Sequence, residues 1–384
     1  MFPIFYLSKK ALNYHYDQKD IVIPCQAIDK YKKNLQEIKQ RKAWKNSGAG
    51  AQFMGAFPQQ EDNEAMIFAT DVLIASSERI IYSACLQDGT AIYSKSLTDF
   101  NEPESLVLRK NDYITFDMDI DRANQRLVLS GGELGSYVQH LSILAIDDNR
   151  IQYITEGECV DAHPCFDPQN SDLIYYDSCG FGADDRGSMR LGPKEICRLN
   201  LKTGDLESIL ASPEFDYFKP QIDAQGNLYV LRRPYQYRKA STWTLKDIAL
   251  IPVKIFKAIF SWLDFFTQRY TGESLKTSSG ANPAKAQQKS EEDIFIEGNL
   301  IKAQQTTAQN AKSGEKFPGL IPNNWQLLKI SADGTQTVLK KSVMSYVIKD
   351  DHLIYSNGRF VVQMNPDQSE VKLVEGHLID KIVC

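Results

Sequence analysis

Residues 161–176 read DAHPCFDPQNSDLIYY: the polar turn Asp167-Pro168-Gln169-Asn170-Ser171-Asp172 leads into the apolar run Leu173-Ile174-Tyr175-Tyr176. The same arrangement occurs upstream, where Asp121 passes through Arg122-Ala123-Asn124-Gln125-Arg126 to Leu127-Val128-Leu129. A tighter copy runs Asp223-Ala224-Gln225-Gly226-Asn227-Leu228-Tyr229-Val230. Turn residues followed by β-branched, leucine and aromatic runs read as strands, and their recurrence at a fixed period reads as a repeat fold.

Working outward, the first apolar residues of successive second strands are Ile80, Leu127, Leu173, Leu228 and Leu353, at intervals of 47, 46, 55 and 125 residues. A period of about 45 residues is that of a four-stranded propeller blade. Setting aside the polar and helical stretch Gln236 to Asn324 brings the last interval back to one blade. A sixth blade comes from joining the ends: Ile4 to Leu7, Leu12 to Tyr16 and Ile21 to Cys25 supply three strands, and His377 to Cys384 the fourth. Such closure removes the exposed sheet edges that an open array would leave.

The expected fold is therefore all-β, a single six-bladed β-propeller of four-stranded antiparallel blades over residues 1–384, closed by N- and C-terminal strands in one blade. Residues 26–64 form a helical, then glycine-rich insertion between blades, and residues 236–324 a second insertion with an amphipathic helix and a flexible linker. In such blades, loops joining strands two and three emerge on the same face as blade-to-blade connections. Both helical insertions and the loop Ser178 to Lys194 are thus expected on one face, which becomes the expected binding face.

The stretch Asp161-Ala162-His163-Pro164-Cys165-Phe166-Asp167-Pro168, with the strand after it, resembles the TolB-like (WD-repeat-like) propeller repeat, roughly D-x-x-P-x-F-S-P-D-G before an apolar strand. Residues 219–229 are a weaker copy. The resemblance implies the six-bladed fold of that family over about two-thirds of the chain and implies no particular activity.

Composition bounds the function. A chain of 384 residues, 42% hydrophobic, buries a sizeable core, and 44 Lys and Arg against 49 Asp and Glu give a net charge of −5. That balance argues against gripping nucleic acid, which needs a cationic excess. The start, MFPIFYLSKK, has its apolar run before its lysines and is too short for a signal-peptide core. Seven cysteines with no CxxC suit a reducing compartment. The expected location is the cytoplasm, with peripheral membrane contact as an option.

No G-x-S-x-G, phosphate-binding loop, H-E-x-x-H or EF-hand loop occurs, so no cofactor is expected. Cys159, Asp161, His163 and Cys165 alternate as zinc donors on one strand face could. Same-face neighbours stand about 6.6 Å apart, too far for all four to close one tetrahedron. The reading favours Asp161 and His163 bonding blade edges, cysteines packing as small apolar groups, and no metal.

Candidate binding residues are Asp161, His163, then Asp184, Asp185 and Arg186 of an acidic loop, and Tyr217, Lys219, Arg232, Arg233 and Tyr235. The arginines alternate with tyrosines as an anion or peptide site could, or as local cation–π and ion pairs. Pro252 to Arg269, PVKIFKAIFSWLDFFTQR, reads as an amphipathic helix with Phe256, Phe260, Trp262, Phe265 and Phe266 on several bearings. It is too short and charged to span a bilayer and suits packing, a partner groove or a membrane surface. Lys276 to Glu315 reads as a mobile linker apart from Ile294-Phe295-Ile296. The leading expectation is a non-catalytic binding or scaffold propeller for a protein or peptide partner. The alternative is a hydrolase or lyase acting on a sugar or small molecule through polar residues around the central channel.

Overall fold

The computed structural model describes residues 2–9, 11–43, 67–183, 189–235, 293–349 and 352–384. The first blade begins with β1 (Ile4–Ser8), β2 (Ala11–Tyr16) and β3 (Lys19–Val22), followed by helix α1 (Gln26–Ala43). The second blade is β4 (Phe68–Ile74), β5 (Arg79–Leu86), β6 (Gly89–Ser96) and β7 (Ser105–Asn111). The third is β8 (Tyr113–Asp121), β9 (Arg126–Glu133), β10 (His140–Ala145) and β11 (Ile151–Tyr153). The fourth comprises β12 (Cys159–Phe166), β13 (Leu173–Ala183), β15 (Glu195–Asn200) and β16 (Leu206–Leu210), with the short β14 (Met189–Leu191) pairing the end of β13.

The fifth blade is β17 (Phe215–Ile222), β18 (Leu228–Pro234), β21 (Gln326–Ile330) and β22 (Gln336–Lys341). Between β18 and β21 lie the hairpin β19 (Asp293–Ile296) and β20 (Asn299–Lys302), then helix α2 (Ala303–Lys312). The sixth is β23 (Ser345–Lys349), β24 (His352–Ser356), β25 (Gly358–Met364) and β26 (Glu370–Ile379). The last strand, β27 (Lys381–Val383), returns to the first blade and pairs antiparallel with β1, Tyr6 opposite Ile382. Each sequence anchor falls in the second strand of its blade, and the ring has six blades. Among the described residues no helix is long and apolar enough to cross a membrane.

The tail differs in detail from the sequence expectation. His377 to Cys384 is not one strand: His377–Ile379 finish the outer strand of the sixth blade, and only Lys381–Val383 cross to the first. Asp380 is the break, so a single short segment serves two blades.

Blades are joined by apolar seams. Val128 and Leu141 of the third pack on Phe166, Ile174 and Tyr176 of the fourth. Helix α1 is fixed by the second blade: Glu104 accepts the N–H groups of Gln26 (2.9 Å) and Ala27 (3.2 Å), and Lys95, fully buried, donates to Gln26 Oε1 (2.9 Å). A carboxylate at a helix N-terminus satisfies orphan donors and suits the dipole. Ile28 and partly buried Tyr31 and Leu35 then pack on the same core cluster.

The segment expected to be mobile through Glu315 is folded from Asp293 onward. Ile294, Ile296, Ile301 and Ala303 join the core of the fifth and sixth blades. The side-chain amide of Asn310, 1% exposed, donates to the carbonyls of Gly319 (3.1 Å) and Ile321 (2.8 Å). Alanine- and glutamine-rich composition concealed a packed face because only every third or fourth residue of α2 is buried. The candidate helix 252–269, with Phe256, Phe260, Trp262, Phe265 and Phe266, lies outside the described residues, as do Asp184, Asp185 and Arg186.

Two outcomes follow from these contacts. Removing residues 381–384 deletes an innermost strand and the buried Ile382, and should lower the melting temperature by more than about 5 °C or cause aggregation at the opened edge. Unchanged melting would mean the ring holds without β27. Asn310→Ala should cost about 1–3 kcal/mol in denaturant unfolding, because two carbonyls lose their donor; a neutral result would mean that water replaces it.

Candidate functional site

Inner strands in four blades carry a register shift at the same level: between Ala69 and Asp71, Thr115 and Asp117, Ala162 and Cys165, and Phe218 and Gln221. In the fourth and fifth blades the irregularity coincides with His163-Pro164 and Lys219-Pro220, and His163 (φ 48°) and Lys219 (φ 53°) adopt left-handed backbone. A bulge re-aims a side chain, and proline removes a donor that a ladder would need. Both His163 and Lys219 line the axial cavity as a result. The alternation seen in the sequence therefore breaks at Ala162. Cys159 and Asp161 stay at the seam with the third blade, beside Gln139, whereas His163 and Cys165 line the axis.

The hairpin β19–β20 supplies the opposing charge. Its turn residues Glu297 (φ 47°) and Gly298 (φ 80°) both have positive φ, the requirement of a tight two-residue hairpin. Glutamate is an unusual choice there, and ionic partners hold it. Its carboxylate lies 3.3 Å from His163 Nε2, 3.5 Å from Lys219 Nζ and 3.6 Å from Lys194 Nζ. Behind it, fully buried Asp177 pairs with His163 Nδ1 (2.6 Å) and Lys194 Nζ (2.8 Å), and accepts the Lys219 N–H (3.1 Å). Asp117 Oδ1 stands 3.7 Å from His163 Nε2.

Burial opposes charge on His163, but Asp117, Asp177 and Glu297 outweigh it and raise its pKa above the ordinary imidazole value. For Asp177, burial is outweighed by Lys194 and His163, which lower its carboxyl to about 2. A second ionic knot lies on the first and second blades, where Lys381 Nζ meets Asp71 Oδ1 at 2.8 Å. Burial of Lys381 is likewise offset by Asp71, Asp117 and Asp119, so its pKa is raised.

These groups surround an axial cavity of about 410 Å³. Its inner end holds Glu297, His163 and Lys219, and its outer end is lined by Ile74, Arg122, Ile222 and Ile348 at or near the C-terminal ends of inner strands. The hairpin arises from the connection between strands two and three of the fifth blade, so it closes the axis from the face on which that connection emerges. The cavity extends toward the opposite face.

Of the remaining sequence candidates, Tyr217 is buried in the seam between the fourth and fifth blades. Arg233 pairs with Asp216 (2.9 Å) and lies over the rings of Phe218 and Trp325. Arg232 lies over Phe215 and donates to Gln326, and Tyr235 donates to the Leu191 carbonyl. These three take part in local cation–π, ionic and backbone contacts away from the axis. The sequence reading missed Glu297, Asp177, Asp117 and Lys381. The one available signal was Glu297-Gly298 between apolar runs, a hairpin turn within a stretch read as linker.

The raised His163 pKa has a sign. Its ionic contribution is complete below the ordinary imidazole pKa of about 6.5 and is lost as pH rises through the folded value. The stability gap between wild type and His163→Gln, read by urea unfolding, should be widest below about pH 6.5 and narrow as pH rises through the raised folded-state pKa. A gap that does not change with pH would mean that His163 binds its proton equally well in the folded and the unfolded chain.

No family model and no curated protein matches this sequence. Among solved structures, TolB from Acinetobacter baumannii is 8% identical over 98% of this chain and 65% of that chain, with a TM-score of 0.47. A chain of a nidogen/laminin complex is 7% identical over 99% of this chain and 97% of that chain (TM-score 0.49). An oligogalacturonate lyase from Vibrio parahaemolyticus is 8% identical over 81% of this chain and 80% of that chain (TM-score 0.41). The chain thus spans about 65% of the length of that TolB. Likenesses this distant carry no argument about activity. What the strand pairing itself establishes is that the chain is a six-bladed β-propeller of four-stranded blades, closed by pairing its first strand with its last.

Proposed function

We propose that the protein is a binding propeller whose axial cavity receives a polar segment of a protein or peptide partner. The observation that carries this reading is the engagement of the axial charges with one another: His163 with Asp177, Lys194 with Asp177, and Lys219 with Glu297. Such a set forms a rigid polar frame. Among the described residues, no hydroxyl or thiol hydrogen-bonds His163, so the pairing of nucleophile and base that acyl-transfer chemistry needs is not assembled there.

The cavity's size and chemistry support the same reading. About 410 Å³ suits one or two side chains of an extended segment, and preformed concave sites with a few fixed polar groups are the usual binding geometry. Asp117, Asp119 and Asp380 share the lining with Lys219, Lys381 and Arg122, a mixed set that matches a peptide carrying both charges. With Glu297 forming the floor, the partner approaches from the ends of the inner strands.

A second reading has its own observation. His163 Nε2 faces two carboxylates across the cavity, an arrangement able to move protons on a small substrate such as a sugar acid. A photo-crosslinking residue at Ile348, beside the cavity's outer end, separates the two readings from a control at Ile209 on an outer strand. The binding reading expects one protein captured in cells from Ile348 and not from Ile209. No capture, together with turnover of a small substrate that Asp117→Asn abolishes, would establish the enzyme instead.

A further inference from the structure

We propose that His140, Cys159 and Asp161 form a binding site for a zinc-like divalent metal at the seam between the third and fourth blades. The residues come from different strands: His140 opens β10, whereas Cys159 and Asp161 sit two apart on one face of β12. Backbone geometry brings them together. Gln139 N–H donates to the Cys159 carbonyl (3.1 Å) and Asp161 N–H to the Gln139 carbonyl (3.0 Å), forming a parallel bridge between the segments. The donor atoms therefore meet on a fixed frame rather than on a mobile loop.

Cys159 Sγ lies 4.0 Å from His140 Nδ1 and 3.5 Å from Asp161 Oδ2. All three donor atoms are within 4.8 Å of one another. Bond lengths of about 2.3 Å to sulfur and about 2.0–2.2 Å to nitrogen and oxygen place tetrahedral donors roughly 3.3–3.6 Å apart. Small side-chain rotations close the remaining difference without moving backbone. The carboxylate is already oriented: Asp161, 2% exposed, accepts from Thr155 Oγ1 at Oδ2 (2.6 Å) and from Ser178 Oγ at Oδ1 (2.7 Å). Thr155 Oγ1 in turn accepts the Leu141 N–H (2.9 Å), so its proton is committed to Asp161. Such outer contacts commonly aim metal-binding carboxylates.

Charge and donor type select the ion. Thiol, imidazole and one carboxylate suit zinc or cobalt and poorly suit calcium or magnesium, which prefer all-oxygen shells. In the free protein the thiol proton points to Asp161 Oδ2, 3.5 Å from Sγ. A divalent ion takes the place of that proton. Cys159 becomes a thiolate, one proton is released to solvent, and two negative ligands balance the metal's charge beside a neutral imidazole. The exposed turn Glu156-Gly157-Glu158 adjoins the site and gives solvent access for a water as fourth ligand.

The test uses intact, reduced, metal-free protein titrated with Co²⁺ and with Zn²⁺. The expected result is a near-ultraviolet thiolate-to-cobalt charge-transfer band at one equivalent, displaced by Zn²⁺. Cys159→Ser should abolish that band. His140→Gln, which leaves the buried carboxylate in place, should weaken Zn²⁺ binding by at least the ~10–100-fold typical of losing an outer-shell partner. Cys197→Ser, which leaves all three donors in place, should retain the band. Absence of the band in wild type, or its persistence in Cys159→Ser, would overturn the assignment. If Cys159→Ser fails to fold, unchanged Zn²⁺ affinity in His140→Gln overturns it independently.

Discussion

Side chains from one blade that capture the backbone of the next hold this ring together at its narrowest radius. Asp71 of the second blade accepts the N–H of Met118 in the third (2.6 Å), and Asp119 of the third accepts that of Phe166 in the fourth (2.8 Å). Asp177 of the fourth does the same for Lys219 in the fifth (3.1 Å). Near the axis the inner strands are bulged, so some backbone donors leave their own ladder and need partners. Carboxylates meet that need with charge-assisted bonds. Their burial then demands cations, which Lys381, His163 and Lys194 supply. Bulges, buried carboxylates and axial cations are one connected requirement.

The hairpin at Glu297 adds a charge that no blade provides. It belongs to an insertion in the fifth blade, yet its carboxylate meets cations from both the fourth and fifth blades. Residues with left-handed backbone at His163, Lys219 and Glu297 meet at this one place. Each such non-glycine position costs of order 1–3 kcal/mol and persists only where its surroundings over-determine it. Mutual ion pairing among the three supplies that constraint. It also gives the axis a closed end and leaves the cavity facing away from the hairpin.

Legibility in the sequence was uneven for physical reasons. Ile80, Leu127, Leu173, Leu228, Leu353 and Ile4 were readable because a buried second strand must be apolar in every blade, and repetition at about 45 residues is a one-dimensional signal. His163 and Lys219 were readable because each precedes a proline within its repeat. Glu297 was masked by its surroundings: alanine, glutamine and lysine look like linker, and nothing local announces that a turn will reach the axis. Asp177 was masked differently, since a buried carboxylate within an apolar run shows its purpose only when a partner arrives from another blade. Arg232 and Arg233 stood out in sequence, but their partners are the neighbouring aromatic rings and Asp216.

By itself, the sequence determined the number of blades and the strand phase of each, because these follow from periodicity and hydrophobic alternation along the chain. The tertiary structure alone decided which polar residues face the axis and which face a seam. A bulge after Ala162 sends His163 to the cavity while Asp161 stays beside Cys159, two residues earlier. It also decided that His140, on a different blade, stands beside that pair. Contacts between blades depend on ring closure and local register, and neither is written in the spacing of residues along one strand.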